Sequence, residues 1–414
     1  MRTRLAGTIA ATLLSVAAAT EAAAQTPPPG GAVVLNQQLQ LGDVFADQTL
    51  NVVDPQDPVT ATTSAQGNSA SGAVENDSIA VQSDQDMRGS ARATTTVTLG
   101  GDTTGPVEVT TQAGGNYLAV GAYTADLAVD ATQSNTGSEV IANTTVGPDT
   151  ARLLGGASVR SSAISNTVAL GGEGAHLSGT VDQSSDATVR AGVLAQTQYI
   201  PAAAAFETQA VANAVAVNST AASSQDLSIR QRSTGDLVEA DTSANAGNAW
   251  DLAGRARATG NQAVLYNSGG SVVNASDQAN SAHIRANAVT TAYDFGAAEA
   301  YAQASGNQLA VGNNDIYVQI DNVQFNSGGV EATASFSGTN GYDVYVGADA
   351  VGNSVTGYAC SECEGHLEAN NVQTNDGAVS AVANTTVAGS GRAVVTGTNA
   401  VGNAATFYVS RPSH

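Results

Sequence analysis

Gly306-Asn307-Gln308-Leu309-Ala310-Val311 opens on a small residue and an amide, then alternates, with apolar side chains at every second position. The same step recurs along the chain at Asn68, Asn116, Asn166, Asn213, Asn261, Asn307, Asn353 and Asn403, at spacings of 48, 50, 47, 48, 46, 46 and 50 residues. The residue before the Asn is Gly in six cases, and Ser165 or Ala212 in the other two. Two residues after each Asn the side chain is apolar all eight times: Ala70, Leu118, Val168, Val215, Ala263, Leu309, Val355 and Ala405. A period of two is the mark of a strand with one buried face. Each Asn shares the parity of the apolar positions, so it is expected to point inward. The preceding Gly is expected to allow a turn with positive φ.

A second landmark lies in mid-repeat. Gln85, Gln133, Gln183, Gln278 and Gln324 each follow their Asn by 17 residues, Gln231 by 18 and Gln373 by 20. An Ala recurs eight or nine residues later: Ala93, Ala142, Ala191, Ala240, Ala286, Ala332 and Ala381. A unit of this size cannot bury its thin apolar face alone, but stacked units bury it against one another. The expected fold is therefore all-β: a repeat-built β-solenoid or β-helix of about eight repeats of roughly 48 residues, behind a flexible N-terminal linker. In such a stack Asn amides can bond to the Asn above and below. One winding per repeat gives a rod of about 40 Å, two windings about 80 Å, and the spacing is compatible with either. An array of β-sandwiches is the competing architecture. The near absence of Pro from the repeats and the inward Asn favour the solenoid.

The chain divides around the repeats. Arg2 and Arg4, the apolar stretch from Leu5 to Thr20, and Ala22-Ala23-Ala24 form the pattern of a secretory signal over residues 1–24. Residues 25–63 read as a linker, with Pro27-Pro28-Pro29-Gly30-Gly31 at its start and a possible capping strand or docking segment in Ala32 to Val53. The repeats occupy 64–409, and 410–414 read as a loose tail.

Composition narrows the function. Net charge is −22, only 12% of residues are charged, and all 14 basic residues are Arg. Phosphates would be repelled, so no nucleic-acid partner is expected. Cationic polymers are compatible partners. Cys360 and Cys363, near Glu362, Glu364 and His366, form the single metal-like cluster. A structural zinc needs four ligands, usually with a second pair. In an oxidising compartment a Cys360–Cys363 disulfide, or inert thiols, is the expected state. No metal or cofactor is expected. His176, His283, His366 and His414 sit in unrelated contexts, and Gly171-Gly172-Glu173-Gly174 lacks the lysine and strand-turn-helix setting of a phosphate loop. No catalytic residues are assigned, and the chain is read as a non-enzyme. Thirteen of its 18 aromatics lie at or after Trp250. They serve either as strand stabilisers or as a stacking surface for sugar rings or a partner protein.

On its Gly-Asn-Gln-x-x-Val units, its lack of Lys and its signal without a lipid-bearing Cys, the chain resembles the holdfast anchor proteins of stalked alphaproteobacteria, and among them the D component. Gln112…Asn116, Gln209…Asn213 and Gln303…Asn307 are also similar to the repeats of curli-type fibre subunits. The resemblance implies an exported, outer-membrane-associated cell-surface protein that ties an adhesive polysaccharide, the holdfast, to the envelope. It also implies sister anchor proteins and a curli-like outer-membrane secretion pore as partners. Two other classes stay open beside it: a secreted solenoid adhesin or fibre subunit that binds a protein receptor, and a polysaccharide-active enzyme built on a β-helix.

Overall fold

The computed structural model describes residues 31–315, 317–360 and 365–409. Within them every regular element is a strand. The strands form eight successive coils, one per repeat. The first holds Ala32–Gln40, Val44–Val52 and Val59–Glu75. The second holds Ser78–Met87, Ala91–Leu99 and Val107–Tyr123. The third repeats that plan with Asp126–Asn135, Glu139–Gly147 and Ala157–Glu173. From the fourth coil to the seventh the last two strands run together without a break, as Thr188–Thr220, Leu237–Asn267, His283–Asn313 and Val330–Ala359. The eighth returns to three strands, His366–Asn375, Val379–Val387 and Ala393–Val409.

Pairing runs between neighbouring coils and is parallel throughout. Asn116 sits opposite Asn166, and Asn261 opposite Asn307. Each repeat therefore winds once, and eight coils spaced about 4.8 Å apart make a rod of about 40 Å. This parallel stacking of whole repeats also excludes the sandwich array. Stacking begins at Ala32, since Ala32–Gln40 pairs with Ser78–Met87 and Val44–Val52 with Ala91–Leu99. The signal segment 1–24, the Pro-rich stretch and the tail 410–414 lie outside the described residues.

In cross-section each coil is two layers. The long strand runs one way and the two shorter strands return along its inner face. Thr95 Oγ1 of the returning layer lies 2.7 Å from Thr63 Oγ1 of the facing layer, and Asn68 Nδ2 reaches Asp86 O at 2.9 Å. Two apolar cores fill the space between layers. One gathers Val59, Ala61, Val97 and Leu99 with their counterparts in later coils. The other gathers Leu118, Val120, Leu127 and Val129 with theirs. Ala46, Ala93, Ala142, Ala191, Ala240, Ala286, Ala332 and Ala381 form one unbroken file in register.

Charges alternate along the outside. Arg160, Glu207, Arg255 and Glu299 occupy successive coils and pair at 2.7–3.1 Å. Glu239 lies between Arg190 and Arg285. The exposed pairs of the first set add little stability, whereas Glu239 is buried and satisfied by its two guanidiniums. The alternation keeps carboxylates from facing each other across one strand spacing. In the first and last described coils Val34 and Val394 are exposed although they are in register with the buried Val81 and Val344, because a coil covers them on one side only, whereas Leu35, Leu39, Phe45, Val395 and Tyr408 are exposed on the outer face.

Circular dichroism of protein lacking residues 1–24 is expected to give a β spectrum without a helical component. A helical or coil-dominated spectrum overturns the solenoid.

Candidate functional site

The Gly-Asn step lies at the waist between the two cores. Along Val107–Tyr123 the buried positions are 107, 109, 111 and 113, then 115 and 116, then 118, 120 and 122. One extra residue enters the strand here, so the inward face stays inward although the parity changes. Gly67, Gly115, Gly260, Gly306 and Gly352 are explained by crowding rather than by φ, which corrects the expectation from sequence. None of Gly67, Gly115, Gly260, Gly306, Gly352 and Gly402 has positive φ. A Cβ on Gly306 would meet Gly352 O at 2.5 Å and Asn326 Oδ1 at 2.6 Å. Gly260 and Gly352 are confined in the same way.

Asn68, Asn116, Asn166, Asn213, Asn261, Asn307, Asn353 and Asn403 form one file along the rod. Each Nδ2 donates to the Oδ1 of the next at 2.7–2.8 Å, over all seven steps. The second N–H of the amide crosses the waist to a backbone carbonyl, as from Asn307 to Phe325 O at 2.9 Å. A Gln file runs beside it with the opposite polarity, each Nε2 donating back to the preceding Gln, as from Gln324 to Gln278 at 2.7 Å. Its first member is Gln38, which accepts from Gln85 at 2.7 Å. Gln38 escaped the sequence reading. The signal was available, because Gln38 precedes Asn68 by 30 residues and Gln85 precedes Asn116 by 31. Seven of the eight Asn side chains are buried. The files hold coils together and offer nothing to a ligand. Cys360 is buried at the end of its coil, and Cys363 lies outside the described residues. Among the described residues no group of three or more His, Cys, Asp or Glu is placed to hold a metal, and no helix is long and apolar enough to cross a membrane.

The ligand-facing candidate is a narrow edge of the rod, where the second strand of a coil bends into the long strand. In the first three coils this edge carries the segments 53–58, 100–106 and 148–156, the last two of which include the short paired strands Asp102–Thr103 and Arg152–Leu153. In coils four to seven the chain turns there without a break, and aromatic residues take the place of these segments. They enclose an open cleft of about 650 Å³, with Tyr199, Trp250, Phe295 and Tyr342 on its walls and Asp294 and Asn340 among its polar groups. Trp250 is 61% exposed and Tyr342 50%, whereas Phe295 is buried as the floor.

Two glycines shape the cleft. Gly296 stands between Trp250 and Tyr342 along the rod, and a Cβ there would lie 2.3 Å from Trp250 O and 3.0 Å from its ring. The indole therefore leans across the missing side chain to within 6.1 Å of the Tyr342 ring, nearly edge-on at 76°. Likewise a Cβ on Gly341 would fall 2.2 Å from the Phe295 ring. Phe295 in turn packs edge-on against Phe336 at 5.0 Å.

This distinguishes the cleft from the other aromatic pairs. Tyr358 and Tyr408 are partners in register on adjacent strands and stack at 5.9 Å, which is ordinary strand stabilisation. Trp250 and Tyr342 are two coils apart and meet over a gap. The polar wall is a file in register, Asn248, Asp294 and Asn340, in which Asn340 Nδ2 donates to Asp294 Oδ1 at 3.3 Å. Arg392 lies 5.4 Å from the Tyr342 ring centre and donates from Nε to Asp343 Oδ1 at 2.9 Å. That hydrogen bond holds the Asp343 carboxyl below the usual carboxylate range.

Comparison with known proteins bears on the chain as a whole. The family model described as holdfast attachment protein D matches residues 53–329, from the first coil into the seventh. No curated protein and no solved structure matches.

Proposed function

The chain belongs to the holdfast attachment protein D family, and from that premise we propose that it holds an adhesive polysaccharide to the cell envelope. One observation carries the reading: exposed Trp250 and Tyr342 meet across Gly296 on a hydrogen-bonded rod. An aromatic face presents negative charge density to the weakly positive C–H face of a sugar ring. A fixed scaffold keeps the ordering cost of binding small. A polymer offers many rings to one cleft and to neighbouring copies of the protein, so weak contacts add up to retention. The net charge of −22 favours a polymer bearing some positive charge. A surface location outside the outer membrane, sister anchor proteins and export through a curli-like outer-membrane pore belong to the same reading. It requires no catalysis.

Deletion of the gene is expected to leave polymer synthesis intact while cells shed the polymer into the medium. A labelled lectin follows the polymer on cells and in the supernatant. Retention of polymer with loss of attachment to another protein or cell favours the receptor adhesin instead. Accumulation of uncleaved or altered polymer favours the enzyme.

A further inference from the structure

We propose that the Trp250–Tyr342 cleft selects a pyranose ring that carries a free amine, with the ring on the indole and the ammonium at Asp294. The inference rests on the polysaccharide reading and adds to it the kind of sugar unit held. Its basis is the charge of the cleft. Asp294 takes part in none of the ion pairs among the described residues. Its one side-chain partner is the neutral amide of Asn340. The two cations that lie over cleft aromatics are already paired: Arg392, over Tyr342, makes a two-pronged contact with Asp343, and Arg152, over Tyr199, donates to both oxygens of Asp102. The uncompensated charge beside the aromatic walls is therefore negative. A neutral sugar satisfies the stacking walls and leaves the carboxylate without an ionic partner. An amino sugar satisfies both, and a charge-assisted hydrogen bond is about twice as strong as a neutral one. Asn248 and Asn340, on either side of Asp294 in the same file, are placed to bond ring hydroxyls.

Trp250 is the only tryptophan in the chain, so its emission reports on this cleft alone. The probes are a fully deacetylated glucosamine oligomer and its N-acetylated counterpart, titrated into the purified chain at physiological and at high salt. The deacetylated oligomer is expected to change Trp250 emission and to bind about tenfold more tightly than the acetylated one, the equivalent of one good contact. High salt should narrow that difference. Asp294→Asn, which keeps the side-chain shape, is expected to remove the tenfold preference. Tyr342→Ala should weaken both oligomers, and circular dichroism checks that each variant keeps its β spectrum.

General attraction of a polycation to an acidic protein predicts a different result, because removing one carboxylate of many leaves it unchanged. Equal binding of the two oligomers, or a preference that survives Asp294→Asn, overturns amine selection. No emission change with either oligomer overturns the cleft as a sugar site. Shedding of polymer by the deletion strain would then still support the anchoring role, whereas its failure to shed tells against anchoring itself.

Discussion

Asn307→Leu is expected to lower the stability of the rod by about 3 kcal/mol or more, while Gln308→Ser, one residue away, changes it by less than about 1 kcal/mol. Asn307 donates to Asn353 Oδ1 at 2.8 Å and to Phe325 O at 2.9 Å, and accepts from Asn261 at 2.7 Å. Leucine removes all three bonds. It strands one N–H of Asn261 and two oxygens in a dry interior, where each unsatisfied group costs about 1–3 kcal/mol. Asn261→Asp should be equally damaging, because the carboxylate loses both donated bonds and adds a charge. Gln308 faces outward, and its side chain shares one bond of 3.2 Å with Gln262. Denaturant midpoints of the variants measure the difference, and equal midpoints would show that the Asn file contributes no more than a surface residue. Because a stacked array can lose coils from its ends, hydrogen exchange at Asn307 and its neighbours is the companion measurement.

Gly306→Ala is expected to cost about 2–3 kcal/mol, in the range of overpacked cores. The added methyl has nowhere to go between Gly352 O and Asn326 Oδ1. The protein itself suggests the partial remedy. Where the waist residue is Gly260, Gly306 or Gly352, the side chain pressed against it is Asn280, Asn326 or Asn375. Where the waist residue is Ser165 or Ala212, the facing residue is Ser185 or its partner in register Ser233. Bulk on one layer is exchanged for bulk on the other. Asn326→Ser alone loses the bonds that Asn326 makes to Asn280, Gly328 O and Asn375, but combined with Gly306→Ala it relieves part of the clash, so the double variant should be about 1 kcal/mol more stable than the sum of the two single losses, a coupling of the size found between contacting residues. Gly312→Ala is the control, since a Cβ there meets nothing nearer than Tyr266 Cδ2 at 3.5 Å. Equal losses at Gly306 and Gly312 would mean that the waist is not crowded.

Much of the architecture was legible before any coordinates. The alternation after each Asn, the 46–50-residue spacing and the small residue ahead of it are local or periodic features, and they carried the strands, the repeat and the solenoid. The Ala positions read at eight or nine residues beyond the Gln turned out to be one file. The role of the glycines was misread because positive φ and close approach leave the same mark in a sequence, a residue without a Cβ. Only the atoms of the next coil, such as Gly352 O beside Gly306, separate the two.

By itself, then, the sequence determined the class of fold, the number of repeats and the inward parity of the Asn, because these follow from parity and period along one chain. The tertiary structure decided that each repeat winds once, that the Gln file runs against the Asn file, and that an aromatic cleft opens on one edge. That cleft depends on Trp250 and Tyr342, which are distant in the chain and meet across Gly296 through a side chain that is not there. The width of such a gap is set by the stacking of whole coils, and no local run of residues encodes it.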